Sequence, residues 1–197
     1  MKQNRIVILL PLSVMIGLFL FGFYIINQSS SVTNEELVNH LQMEIELIQE
    51  DENIPSLQTN WVWSDFPSDG IAGDDIIEFI FLNDSMEVIP FFHVDGLLQL
   101  EQSNEVIYEE NNFYRTDEGI AFRFPNKVED NQIYGPRGNA VLYFQEIEEN
   151  VAYIEVKYYH TWEVWGMELE NGKGINEILN NSGFKEYWVA SRSTNFR

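Results

Sequence analysis

Four carboxylates crowd one short stretch, SDFPSDGIAGDD at residues 64–75: Asp65, Asp69, Asp74 and Asp75, with Gly70 and Gly73 among them. Calcium takes oxygen ligands on glycine-bent loops, so these four are the metal candidates. The spacing is not that of an EF-hand, which alternates its acids before the glycine and sets a Glu six residues after it. Asp and Gly are also the ordinary residues of turns, and a plain turn is the competing reading. The three histidines, His40, His93 and His160, lie far apart in the chain, so a zinc site would need the fold to gather its ligands. Cysteine is absent, which removes thiolate metal sites, thiol nucleophiles and disulfides together.

Large rings form the second candidate set. Trp61 and Trp63 share a face if their segment is a strand, and Tyr159 and Trp165 fall on the expected wet face of a later one. Rings so placed stack on sugars or grip a peptide; the competing reading is core packing. His160 falls on the opposite, apolar face, where a hydrogen-bonded core or rim histidine is expected.

No motif names a reaction. Gly135-Pro136-Arg137-Gly138-Asn139 lacks the helix and Lys-Ser/Thr of a phosphate loop, and neither Gly-x-Ser-x-Gly nor His-Glu-x-x-His occurs. Paired carboxylates could hydrolyse a glycoside, but nothing selects two among 32 acids. No cofactor is implied.

The element that fixes the setting is Ile6 to Ile26, 21 residues without a charge. A helix of that length covers about 31 Å, the thickness of a bilayer's hydrocarbon core. Lys2 and Arg5 precede it and acid follows, so the expected topology is a single-pass anchor with its N-terminus in the cytoplasm. A cleaved signal peptide is the alternative; the long apolar run and bulky residues at its end count against it. The expected division is therefore a stub and anchor over 1–27, a tether over 28–34, and an extracytoplasmic domain over 35–197. An apolar helix leading into a mixed domain resembles type IV pilins in outline. The chain lacks that family's Gly before the run and Glu inside it.

Thr33-x-x-Glu36 has capping-box spacing, and Leu37, Leu41, Ile45 and Ile48 repeat at a helical period, which predicts an amphipathic helix over about 33–50. From Gln58 the period changes to two. Strands are expected at 58–63, 76–82, 87–94, 97–100, 105–108, 113–115, 120–124 and 184–191, with a long hairpin pairing 140–147 with 151–165 and a short helix at 175–181. The fold class expected is α+β: the first helix packed on a curved, mostly antiparallel sheet. That outline resembles cystatin-like and NTF2-like folds.

Charge bounds the partners. All 32 acids and nine of the eleven Lys and Arg lie beyond residue 27, leaving −23 on the expected domain. Such a surface repels nucleic acid and anionic headgroups and attracts basic faces. An exported domain held by packing alone suits a bacterial envelope. The expectation is an anchored binding or accessory domain for an envelope protein or ligand, basic in character, without catalysis. The alternatives are an envelope hydrolase using paired carboxylates and a pilin-like subunit.

Overall fold

A computed structural model of the chain describes residues 4–28, 31–48, 55–89, 93–145, 150–162, 169–183 and 186–196, with side chains in the first range described at 9–24. The chain divides into two units, Met1–Val32 and Thr33–Arg197.

The first unit holds α1 (Asn4–Gln28), a 25-residue helix with Pro11 inside it. Its large apolar side chains between Leu9 and Tyr24 are exposed, Phe19 to 78%. Among the described residues no helix is long and apolar enough to cross a membrane, so the expected span is unsupported on that measure.

The second unit is α+β and mainly antiparallel. In chain order its strands are β1 (Leu41–Ile48), β2 (Ser56–Trp63), β3 (Asp74–Leu82), β4 (Val94–Gln102), β5 (Glu105–Glu110), β6 (Tyr114–Arg115), β7 (Gly119–Pro125), β8 (Val128–Glu129), β9 (Gln132–Ile133), β10 (Arg137–Phe144), β11 (Tyr153–Thr161) and β12 (Tyr187–Asn195). A short helix, α2 (Ile175–Asn181), precedes β12. One sheet runs β1-β2-β10-β4-β5 and the other β12-β11-β3-β7-β6; β8 and β9 form a small ribbon.

The expected helix over 33–50 is a strand instead. LQMEIELI fits both periods: Leu37, Leu41 and Ile45 recur at four, and Leu41, Met43, Ile45 and Leu47 alternate with Gln42, Glu44 and Glu46. Pairing decides between them, because all eight residues of β1 lie opposite β2, Leu41 against Trp63 and Ile48 against Ser56. The capping-box contact forms locally, Thr33 N donating to Glu36 Oε2 at 3.3 Å, but it opens only a turn and a 3-10 segment, Leu37–His40. The amphipathic helix expected over 33–50 is therefore absent among its described residues, 33–48. Two sheets pack face to face.

The expected hairpin between 140–147 and 151–165 is also absent. β10 pairs with β2 and β4, while β11 pairs with β3 and β12, so the chain changes sheets between them. Both strands alternate apolar and polar, and that pattern fixes which face is buried without saying which strand lies alongside. The strand expected at 87–94 is reduced to a bridge between Val88 and Leu82, and Pro90 and the two residues after it lie outside the described residues. Asp95 and Gly96, just past the end of that expected strand, lie within β4. A Cβ on Gly96 would meet the Phe122 ring and the Leu142 methyl, so this glycine makes room for packing between sheets.

The core lies between the sheets. Trp61 of β2 meets Phe124 of β7 with ring centroids 5.1 Å apart, and Phe81 of β3 meets Phe144 of β10 edge-on at 6.1 Å. Gly138, opposite Trp61 in the ladder, leaves space that the indole fills. The second sheet is covered on its other side as well. Leu169, Ile175, Ile178 and Leu179 pack over Ile76, Ala121 and Tyr159, and β3 is buried from Asp75 to Leu82 on both faces. The other face of the first sheet carries Gln42, Glu44, Gln58, Asn60, Gln99, Glu101 and Asn139, all at least partly open to water.

Candidate functional site

Polar side chains concentrate at the end of the core where β3 begins and β11 ends. Asp75 and His160 are neighbours across this pair of strands and both are fully buried, His160 Nδ1 lying 3.0 Å from Asp75 Oδ1. Asp75 also accepts from the Tyr158 hydroxyl (2.6 Å), the Thr161 backbone N–H (3.1 Å) and Asn126 Nδ2 (3.2 Å). A carboxylate out of water needs its lone pairs filled, and these donors fill them. Burial pushes the Tyr158 hydroxyl well above the usual tyrosine range, and the Asp75 charge adds to the shift. The far ring nitrogen of His160, Nε2, lies 2.9 Å from Asn34 Oδ1.

Asn34 holds the start of the second unit in place with every polar group it has. Its Nδ2 donates to the Gly70 carbonyl (2.9 Å), its backbone N–H to Asp69 Oδ1 (3.1 Å), and its carbonyl accepts from Trp188 Nε1 (2.8 Å). Three indoles enclose the imidazole, with centroids at 5.0 Å (Trp63), 5.4 Å (Trp162) and 4.9 Å (Trp188).

A second buried polar group lies beside Tyr159, which α2 covers. Glu78, 1% exposed, accepts from Tyr159 (2.7 Å) and Thr116 Oγ1 (2.7 Å). Burial raises the Glu78 carboxyl above its usual range, and these donors and nearby Lys157 offset part of that. The Tyr159 hydroxyl is raised too, by burial first and the Glu78 charge second. Lys157 pairs with Glu118 at 2.9 Å beside them.

Two adjoining clefts open on the first sheet. One, of about 260 Å³, is lined by Gln42, Glu44, Asn60, Val62, Glu101 and Arg137, with Trp61 beneath. The other, of about 210 Å³, shares Val62, Glu101 and Arg137 and continues over Trp63, Phe66, Ile133 and Pro136. Phe66 is 52% exposed there. Arg137 Nε lies 3.4 Å from Glu101, whose other oxygen accepts from Asn139 Nδ2 at 3.3 Å. A third cleft, of about 320 Å³, holds Asp74, Tyr108, Arg123, Lys127 and Tyr134. Its charges are matched internally, Arg123 with Asp74 and Lys127 with Glu129. Burial and Glu110 push Tyr108 up to about 12.

The expected site residues scatter. Trp61 and Trp63 are core residues, 2% and 4% exposed, although each forms part of a cleft lining. Tyr159, expected on a wet face, is fully buried, because α2 and Leu169 cover that face. Trp165 lies outside the described residues. The four carboxylates of 64–75 are turned to separate tasks: Asp65 accepts from Phe66 N–H, Asp69 from Asn34, Asp74 pairs with Arg123, and Asp75 holds His160. Among the described residues no three His, Asp or Glu side chains are placed to hold a metal ion. Asn34 and Asn126 were not legible in the sequence, for asparagine is common here and neither stands in a motif. In comparison with known proteins, no family model matches the chain and no curated protein matches it in sequence.

Proposed function

We propose that this chain is a membrane-anchored, extracytoplasmic binding domain that takes a basic protein segment on the outer face of its first sheet. One observation carries the reading: that face is open while the corresponding face of the second sheet is covered by α2. The open face holds Glu44, Glu46 and Glu101 against Arg137, so it favours a cationic partner. The adjoining cleft of Val62, Trp63, Phe66, Ile133 and Pro136 suits one apolar side chain of that partner. The anchor reading rests on the uncharged stretch Ile6–Ile26, on Lys2 and Arg5 before it, and on the exposed apolar side chains of α1.

The test uses the full chain in nanodiscs of neutral lipid and synthetic Lys/Arg-rich peptides with and without one Leu or Phe. Salt-sensitive binding, weakened at least tenfold by Glu44→Lys with Glu101→Lys and again by omitting the apolar residue, is expected. Equal binding by the charge-reversed chain ends the reading. Protease shaving of intact cells checks the address; a protected second unit would end the extracytoplasmic part. The rival hydrolase reading has Glu44 and Glu101 lining one cleft in its favour. Turnover of wall glycan fragments, lost on Glu44→Gln, would replace binding with that reading.

A further inference from the structure

We propose that the cleft of about 320 Å³ beside the β8–β9 ribbon binds one neutral sugar ring, held by Arg123 and Asp74 through two adjacent hydroxyls. The strands place this pair. In the β7–β3 ladder Arg123 stands opposite Ile76 and Asp74 opposite Pro125, so the two side chains are diagonal neighbours on one face. They are only loosely joined: Arg123 Nε lies 3.5 Å from Asp74 Oδ2, longer than a normal hydrogen bond. By contrast Lys127 closes on Glu129 at 2.6 Å, Lys157 on Glu118 at 2.9 Å and Lys173 on Glu170 at 2.7 Å. Arg137 and Glu101 also stand apart, at 3.4 Å, but that arginine is 55% exposed and within easy reach of water. Arg123 and Asp74 are only 32% and 23% exposed, and neither side chain has another polar partner among the described residues. Burial raises the Asp74 carboxyl above its usual range, and Arg123 offsets only part of the rise. Most donors of the guanidinium and most lone pairs of the carboxylate are therefore unspent.

The chemistry of the cleft selects the ligand class. A hydroxyl both donates and accepts, so it fits between a guanidinium and a carboxylate, where a pure donor or a pure acceptor leaves one of them unmet. The planar fork of Arg123 takes two adjacent hydroxyl oxygens side by side, the pattern of a sugar rather than of a simple alcohol. Around the pair stand Tyr108, Tyr134 and Pro125, with buried Phe124 below. Both tyrosine hydroxyls are committed two residues away, Tyr108 donating to Glu110 and Tyr134 to Gln132, so each gives the cleft its ring. Ring surface suits the C–H face of a pyranose. Two charges of each sign line the cleft, Arg123 and Lys127 against Asp74 and Glu129, and Lys127 is already closed on Glu129. No net charge remains to draw in an anion, and the acidity of the whole chain repels one from a distance. The volume is at the small end of small-molecule sites, which run from about 300 to 1,000 Å³. The cleft shares no lining residue with the two on the first sheet, so its test is separate from that of the peptide reading.

The experiment uses the full chain in nanodiscs of neutral lipid, with glucose, galactose, mannose and N-acetylglucosamine as probes and glycine and acetate as controls. Saturation-transfer NMR reads binding, and the Arg123 Nε–H and the ring signals of Tyr108 and Tyr134 locate it. At least one sugar should bind saturably and move those signals in the natural chain. Arg123→Lys keeps the charge but loses the fork, and should weaken that binding at least tenfold with little change in melting temperature. Absence of binding by all four sugars overturns the proposal, as does sugar binding that leaves those signals still or survives Arg123→Lys. Tighter binding of glycine or acetate than of any sugar would give the pair to a zwitterion or an anion and overturns it equally. The located signals come from the natural chain, so they stand even if the variant does not fold.

Discussion

Tyr159, packed beneath α2, donates its hydroxyl to Glu78 Oε2 over 2.7 Å, and both residues are buried. The carboxyl is thereby satisfied but still disfavoured as an anion, because burial outweighs the donors around it. Below the usual Glu value of 4.5, the carboxyl is protonated in the folded and unfolded chain alike. As the pH climbs through the raised folded value, the unfolded chain releases the proton more readily and stability falls. Glu78→Gln lacks that fall. Urea midpoints from acid to neutral pH should show the variant gaining on the natural chain as pH rises; parallel curves would contradict this.

Gly119 begins β7 opposite Ile80, with a φ that any residue can adopt. An added Cβ would overlap the Phe79 carbonyl oxygen, which is backbone and cannot swing aside. Gly119→Ala should therefore cost about 3 kcal/mol, at the upper end of what overpacking costs. Chemical denaturation measures it, and a loss near zero would mean the ladder shifts freely.

The cover over the second sheet should be removable in part. Leu179 is fully buried on α2 and packs in the cluster with Tyr159 and Ile76. Leu179→Ala should cost about 2–5 kcal/mol. Tyr159 should also become accessible to a fluorescence quencher, whereas the buried Trp61 between the sheets should stay protected.

Phe66 provides the opposite case. It is half exposed on a loop, so Phe66→Ser should change stability by less than about 0.5 kcal/mol. On the proposed function, the same change should weaken capture of an apolar-bearing basic peptide by fivefold or more. Titration calorimetry beside thermal melts separates the two effects.

The core-facing side of β11 was legible because alternation is local: Ile154, Val156, Tyr158 and His160 share one face in the sequence and in the fold. α2 was legible at the same residues, 175–181. Partnership between strands was not, since β10 and β11 carry the same alternation whether or not they pair. β1 was misread because its apolar residues satisfy two periods and only the β2 ladder chooses between them. The carboxylates at 64–75 drew attention for their number, yet the most consequential contact of Asp75 is with a histidine 85 positions away. No spacing rule reaches that far, and Asn34, which closes the cluster, is 126 positions from the same ring.

One outer rim of the first sheet is β5, and among the described residues no strand pairs with its far side. Glu105, Glu109 and Glu110 stand along this short strand, and a register shift between Leu100 and Glu101 bends its neighbour. Like charges brought together by stacking two copies side by side would repel, and the irregular neighbour denies them a flat template. Edge-to-edge growth into fibrils is thus discouraged at this border without a disulfide or a capping helix.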